Sequence, residues 1–140
     1  MNQIIEQIKI LENLIKADPK NFINYFHLGD VYRKIRKYDL ALKNFQKSVK
    51  FNNKFPEGFN NLANIYKELK NIKNSITFFK KAIELNPNYI NALYNLGVVY
   101  FEIDKYEESS AYFKKVLEIN PKHLATLNNF GLLLKKNKKV

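Results

Sequence analysis

The amino-acid sequence predicts an all-α protein built from helix-turn-helix repeats, on three observations. Equivalent side chains recur at a step of 34 residues, as at Leu28, Leu62 and Leu96, and such a period is the signature of a repeat architecture. Within each unit the apolar residues follow the period of an α-helix rather than the alternation of a strand. Asn-Pro pairs at positions 86–87 and 120–121 interrupt the helical pattern at the same step, because proline lacks an amide donor and disfavours helical geometry before it.

The repeat step divides the chain into helices. We predict first helices at Phe22–Lys34, Pro56–Glu68, Ile90–Glu102 and 124–136, and second helices at Tyr38–Phe51, Ile72–Leu85 and Tyr106–Ile119. Residues 22–55, 56–89 and 90–123 are therefore three full units. Residues 4–17 form a second helix without its first, and residues 124–136 form the first helix of a fourth unit.

Two columns hold small side chains: Gly29, Ala63, Gly97 and Gly131 in the first helices, and Ala41, Ser75 and Ser109 in the second helices. Glycine inside a helix costs up to about 1 kcal/mol relative to alanine, so its recurrence indicates close packing. We predict that the small residues of each first helix face those of its second helix and let the two axes approach.

One unit boundary lacks proline, since Asn53 stands where the later units have Pro87 and Pro121. Pro56 follows three residues later, and proline is tolerated in the first turn of a helix. We therefore expect the break in this unit to be displaced toward Pro56.

Two segments carry a family resemblance. Residues 94–100 read YNLGVVY and residues 113–121 read FKKVLEINP, and both are similar to the pattern of the tetratricopeptide repeat (TPR) family. The resemblance covers about three units, residues 22–123. It implies a right-handed α-α superhelix, a TPR solenoid, in which residues 1–140 form a single array. It also implies a protein-protein interaction scaffold whose first helices line a concave groove.

By the geometry of the family, a protein or peptide ligand is expected to bind in that groove. The implied groove residues are Phe26, His27, Asp30, Arg33, Asn60, Asn61, Asn64, Lys67, Asn91, Tyr94, Asn95, Val98, Phe101, Asn128 and Asn129. Three aromatic residues of this set, at positions 26, 94 and 101, are expected to anchor the ligand.

One groove column contains His27 followed by Asn61, Asn95 and Asn129, each one unit apart. An asparagine amide can both donate to and accept from a peptide backbone, so such a ladder could hold an extended chain whatever its sequence. The column resembles the asparagine ladder in the repeat superhelix of O-linked N-acetylglucosamine (O-GlcNAc) transferases.

Another branch of the family clamps the C-terminal carboxylate of chaperones with lysine and arginine side chains. This sequence has Asn60, Ala125 and Asn129 where that clamp needs cations. A carboxylate without cationic partners gains little, so we predict that this chain does not form the clamp.

The sequence indicates no catalytic, cofactor-binding or metal site. It contains no cysteine, and its two histidines, His27 and His123, lie far apart in the array, whereas a metal site needs several ligands at close spacing. The four glycines are scattered and form no phosphate-binding loop. We predict a chain that is not an enzyme. The alternative is that it forms the repeat arm of a larger enzyme such as a glycosyltransferase.

The net charge of +11 raises the possibility of nucleic-acid binding. Only Arg33 and Arg36 are arginines, although arginine suits phosphate and base recognition better than lysine. The lysines are spread along the chain, so nucleic-acid binding through a lysine surface is the less favoured alternative.

No stretch approaches the roughly 20 apolar residues of a membrane span, and the N-terminus does not resemble a signal peptide. We predict no membrane partner and a cytoplasmic location.

Both termini look like half units, which leaves two interpretations open. The chain could be part of a longer array, because solenoids normally need polar caps. Alternatively, copies could associate end to end through Leu127, Phe130 and Leu134 of one copy and the N-terminal helix of the next. Gln7 stands at a small-residue position in that helix and argues against a perfect fit. The N-terminal helix carries an apolar stripe, Ile4, Ile8, Leu11 and Ile15, joined by Ile5 and Leu14.

Overall fold

The computed structural model describes residues 2–138, and this part of the chain contains eight α-helices and no strand. The helices are α1 (Asn2–Ala17), α2 (Phe22–Lys34), α3 (Tyr38–Phe51), α4 (Pro56–Glu68), α5 (Ile72–Leu85), α6 (Ile90–Glu102), α7 (Tyr106–Ile119) and α8 (Leu124–Lys138). The predicted bounds of α2 to α7 are confirmed, α1 begins two residues earlier than expected, and α8 extends to Lys138.

The first helices form the inner layer of the solenoid. Helices α2, α4, α6 and α8 contact one another in that order, whereas α3, α5 and α7 contact only first helices. Helices α2, α4 and α6 also pack against the second helix of their own unit, most extensively in the α2–α3 and α4–α5 pairs. Side chains on the free side of the first helices therefore share one concave face.

The turn inside each unit is closed by a residue in the left-handed region. Arg36, Lys70 and Asp104 occupy equivalent positions and have φ values of 62°, 64° and 62°. The amide after each of them donates to a carbonyl near the end of the first helix, for example from Asn71 to Tyr66 at 2.8 Å. This is the Schellman motif, in which glycine is the usual residue.

The turn between units depends on asparagine more than on proline. Asn52, Asn86 and Asn120 follow the second helices, and each accepts through Oδ1 from the amide two residues later, at 3.1 to 3.2 Å. Such side-chain bonds define a turn without proline. Helix α3 ends at Phe51 as its equivalents do, so the expected displacement of the break toward Pro56 is wrong.

The small column of the first helices faces aromatic rings. A Cβ added at Gly29 would lie 2.8 Å from the ring of Phe45, and one at Gly97 would lie 2.6 Å from the ring of Phe113. Gly29 and Gly97 therefore contact the aromatic column of the second helices, and Gly97 contacts their small column as well. Ser109 approaches Gly97, since its hydroxyl donates to the Gly97 carbonyl at 2.7 Å.

Candidate functional site

A cavity of about 650 Å³ opens on the concave face between α2, α4, α6 and the start of α8. It is lined by Arg33, Tyr38, Asn60, Asn61, Asn64, Ile65, Lys67, Glu68, Asn91, Tyr94, Asn95, His123 and Ala125. Five of these side chains are asparagines, and each of these five offers hydrogen-bond donors and an acceptor without a charge.

The asparagine column is tied to the preceding unit by a repeated hydrogen bond. The Asn95 amide donates to Oδ1 of Asn60 at 3.2 Å, and the Asn129 amide donates to the Tyr94 hydroxyl at 2.9 Å. In both bonds the donor is a column residue, and the acceptor lies one position before the column in the preceding unit. Because each bond uses one amide hydrogen, the carbonyl oxygen and the second hydrogen of each asparagine remain for other partners.

Asn60 lies deeper than the rest of the asparagine wall, with 5% of its surface exposed. Besides accepting from Asn95, its side chain lies near the hydroxyl of Tyr89, the residue just before α6. Burial raises the pKa of the Tyr89 hydroxyl above its ordinary value, and the Glu57 carboxylate raises it further. The Tyr89 hydroxyl therefore stays neutral near the Asn60 amide, which accepts the hydrogen bond from Asn95.

The residues just before α4, α6 and α8 form a further column that the sequence analysis missed, and the last of them, His123, lines the cavity. They are Phe55, Tyr89 and His123, spaced at the repeat step. The ring centroid of Phe55 lies 4.9 Å from that of Phe26, and the ring centroid of His123 lies 5.3 Å from that of Tyr94. The regular spacing of these three large side chains could have revealed this column.

Charged groups at the groove are paired with one another. Arg33 approaches the Asp30 carboxylate at 2.7 Å, and Lys67 of α4 approaches Glu102 of α6 at 3.5 Å. Burial alone would raise the pKa of Asp30, but the hydrogen bonds and charges of Arg33 and Lys34 outweigh it, so this pKa is lowered. The cations at the groove are therefore largely balanced by carboxylates.

The structure brings together eight of the residues expected in the groove: Arg33, Asn60, Asn61, Asn64, Lys67, Asn91, Tyr94 and Asn95. Seven others do not line the cavity: Phe26, His27, Asp30, Val98, Phe101, Asn128 and Asn129. Phe26 packs among Phe45 and Phe55, and the ring of Phe101 is covered by the Lys136 amine at 5.0 Å from its centroid. The structure adds Tyr38, Ile65, Glu68, His123 and Ala125 to the lining.

His123 also caps the last helix. Its Nδ1 accepts from the Thr126 amide at 3.3 Å and lies 2.7 Å from the Thr126 hydroxyl.

Between residues 2 and 138, His, Cys, Asp and Glu side chains form no group of three or more that could hold a metal ion. In that same part of the chain, no helix has the length and apolar character needed to cross a membrane.

The inner layer of first helices and its asparagine-lined cavity define the class of the molecule as a helical-repeat solenoid with a polar concave groove. A family model described as "TPR repeat" matches residues 29–70 and 63–104. A second model, "Tetratricopeptide repeat", matches residues 90–123. The chain therefore belongs to the tetratricopeptide repeat family.

Solved structures show the same fold. The crystal structure of MamA is 24% identical with a TM-score of 0.87, over 94% of this chain and 77% of that chain. The first TPR of Spaghetti (RPAP3), bound to the HSP90 peptide SRMEEVD, is 25% identical with a TM-score of 0.82, over 86% and 96%. YrrB, described as "a TPR protein with an unusual peptide-binding site", is 21% identical with a TM-score of 0.81, over 98% and 71%. A comparison with curated proteins finds no match.

Proposed function

We propose that this chain is an interaction scaffold that holds an extended peptide segment of a partner protein in its concave groove. The observation that carries the proposal is the asparagine column: Asn61 and Asn95 line the cavity, and hydrogen bonds hold the side chains of Asn95 and Asn129. Two structures with the same fold belong to proteins that bind peptides, namely the RPAP3 repeat with its HSP90 peptide and YrrB. Fold alone does not determine a ligand, so the residues of the groove carry the argument.

The asparagine column suits the backbone of a peptide. An extended chain offers amide hydrogens and carbonyl oxygens in alternation, and each column asparagine retains one donor and its acceptor. The bonds from Asn95 to Asn60 and from Asn129 to Tyr94 already restrict the side-chain rotamers. Less rotamer entropy is then lost when a ligand binds, which favours affinity. The likeness of this column to the O-GlcNAc transferase ladder remains a prediction.

The balanced charges favour an uncharged segment over an acidic tail. The groove cations Arg33 and Lys67 already have carboxylate partners, so an acidic ligand would have to compete for them. The peptide bound by the RPAP3 repeat is acidic near its end. Here Asn60, Ala125 and Asn129 stand where a carboxylate clamp needs cations, and uncharged Asn60 and Ala125 line the cavity.

The groove assignment can be tested with a synthetic peptide selected from a random display library against this chain. Replacing Asn61, Asn95 and Asn129 together by alanine should raise the dissociation constant of that peptide at least about tenfold, because each lost hydrogen bond contributes roughly 0.5–1.5 kcal/mol. Fluorescence anisotropy with the labelled peptide measures the change.

The control for this experiment is a triple variant with the same repeat spacing on the second helices, Lys47→Ala, Lys81→Ala and Lys115→Ala. It should leave the affinity unchanged while circular dichroism shows both variants to be helical. Equal affinity in the wild type and the asparagine variant would refute the groove assignment.

The remaining hypotheses from the sequence belong to this proposal as alternatives. If the chain is the repeat arm of a larger enzyme, a catalytic domain is expected in the same reading frame. A scaffold that is not itself an enzyme needs no such domain. Nucleic-acid binding through the lysine surface predicts an affinity that falls steeply with salt. We propose an intracellular location, which microscopy of the tagged protein in its source cell tests.

A further inference from the structure

Helix α8 carries an uncovered apolar face. Leu127 and Leu134 are 44% and 46% exposed, and an added Cβ at Gly131 would meet no atom within 4 Å. The equivalent residues of α6 are buried beneath the second helix of their unit, where the ring of Phe113 covers Gly97. Within residues 2–138 no second helix lies against this face of α8.

Helix α1 is a second helix that packs on the first helix of the next unit, and within residues 2–138 no first helix of its own unit lies against it. Its residues lie 34 positions before those of α3, so it is a second helix by register. Leu11 is buried against α2 with Ile4 and Ile8, whereas Leu14, the equivalent of buried Ser48, is 46% exposed. Leu14, which adjoins the apolar stripe in the sequence, therefore faces the side where a first helix would lie.

We infer that α1 of a second copy of this chain packs on α8 in the place that the second helix takes in the other units. The proposal is independent of the peptide-binding function of the groove. Transferring the α6–α7 packing to this pair places Gly131 opposite Leu11 of the second copy, as Gly97 stands opposite Phe113. It places the second copy's Gln7 where Ser109 donates to the Gly97 carbonyl.

Gln7 fits this contact although its position is otherwise filled by small residues. Leucine at position 11 is shorter than the phenylalanine of the other second helices, so it leaves space beside Gly131. The longer Gln7 side chain enters that space, and its amide donates to the Gly131 carbonyl in place of the serine hydroxyl. A buried carbonyl gains from such a partner, so the two departures from the repeat pattern compensate each other.

Charge also favours this pairing. The two helices run antiparallel, so the first half of α1, which carries Glu6, lies beside the last turn of α8. That last turn holds Lys135, Lys136 and Lys138. The antiparallel arrangement also brings the positive end of the α1 dipole to the negative end of α8.

The contact is heterologous, because it joins different faces of two identical chains. Such contacts produce open chains of molecules unless the rotation closes a ring. Each junction completes one repeat unit, so the first helices of successive copies continue a single concave layer.

Analytical ultracentrifugation of the wild-type chain tests the inference, and the mass is expected to rise with concentration. Leu134→Glu, which disables α8, and Leu14→Glu, which disables α1, should each weaken association by roughly tenfold or more, because each buries an unpaired charge. An equimolar mixture of the two variants retains one intact face of each kind and should form dimers and nothing larger.

Leu132→Glu is the matched control, since Leu132 is 52% exposed on the opposite side of α8, and it should associate as the wild type does. Circular dichroism checks that each variant keeps its helix content, and Leu127→Glu replaces Leu134→Glu if that variant loses it. A wild type that stays monomeric at every concentration overturns the inference. So does undiminished association of Leu14→Glu, or a loss of association in Leu132→Glu.

Discussion

Two buried serines at equivalent positions differ in hydrogen bonding. The Ser109 hydroxyl donates to the Gly97 carbonyl, whereas the Ser75 hydroxyl has no hydrogen-bond partner among residues 2–138. The first helix facing Ser75 carries Ala63 at the position of Gly97. A buried hydroxyl without a partner costs about 1–3 kcal/mol in lost hydration, so the two sites predict opposite mutational effects.

Ser75→Ala should raise the free energy of unfolding by about 1 kcal/mol, because it removes an unpaired polar group from the core. Ser109→Ala should lower it by about 1 kcal/mol, because the Gly97 carbonyl loses its donor. Urea denaturation followed by circular dichroism measures both values, and each variant is the control for the other. Equal shifts in the same direction would contradict this account.

The groove shows how well the sequence alone predicts the positions of single residues. Repeat spacing identified Asn61 and Asn95 as neighbours on one face, because equivalent positions on stacked helices point the same way. Spacing could not show that Phe26 is packed or that Lys136 covers Phe101, since both depend on contacts made by other elements.

At the scale of the helix, the turns within the units all have the same backbone geometry, but the residues at their left-handed positions are not the glycines that this geometry favours. Arg36, Lys70 and Asp104 adopt positive φ, and a side chain in this region costs roughly 1–2 kcal/mol. Glycine avoids this steric cost, although it loses more conformational entropy on folding. The balance at a helix C′ position favours glycine.

Lys70→Gly should therefore stabilise the protein by up to about 1 kcal/mol, because it removes the steric strain of the turn between α4 and α5. Thermal unfolding with and without the substitution measures the change. The control is Lys43→Gly at an exposed position inside α3, which should destabilise by about 1 kcal/mol. A loss of stability in Lys70→Gly would mean that the φ value at this turn is not a source of strain.

Helix bounds were predictable from the sequence because the repeat step and the apolar period agree with each other over the full units. The turns were less predictable, since no glycine marks residues 36, 70 and 104. The helix ends after Phe51, Leu85 and Ile119 are set by asparagine side chains, and the sequence analysis had assigned that role to proline. The column pattern also identified the face on which Gly97 lies but not the ring that it meets.

At the scale of the whole molecule, contacts are unevenly distributed along the solenoid. The largest buried cluster joins residues of α3 to α6, whereas Leu11 of α1 belongs to a smaller cluster with Leu28 and Val31. Helix α8 buries only Thr126 and Leu133. Because the stability of a repeat array is a sum of unit and neighbour terms, units with fewer neighbours should open more readily.

Amide hydrogen exchange measured by mass spectrometry should therefore show the slowest exchange in α4, α5 and α6 and the fastest in α8, because local opening depends on buried contacts. At low protein concentration, protection of α1 should also lie below that of α4. Raising the concentration should slow exchange in α1 and α8 together if copies pair through these helices, while α4 and α5 stay constant and serve as the internal control. Uniform exchange along the chain would show that the array opens only as a whole, and slowing in α8 without slowing in α1 would point to a contact between two α8 helices instead.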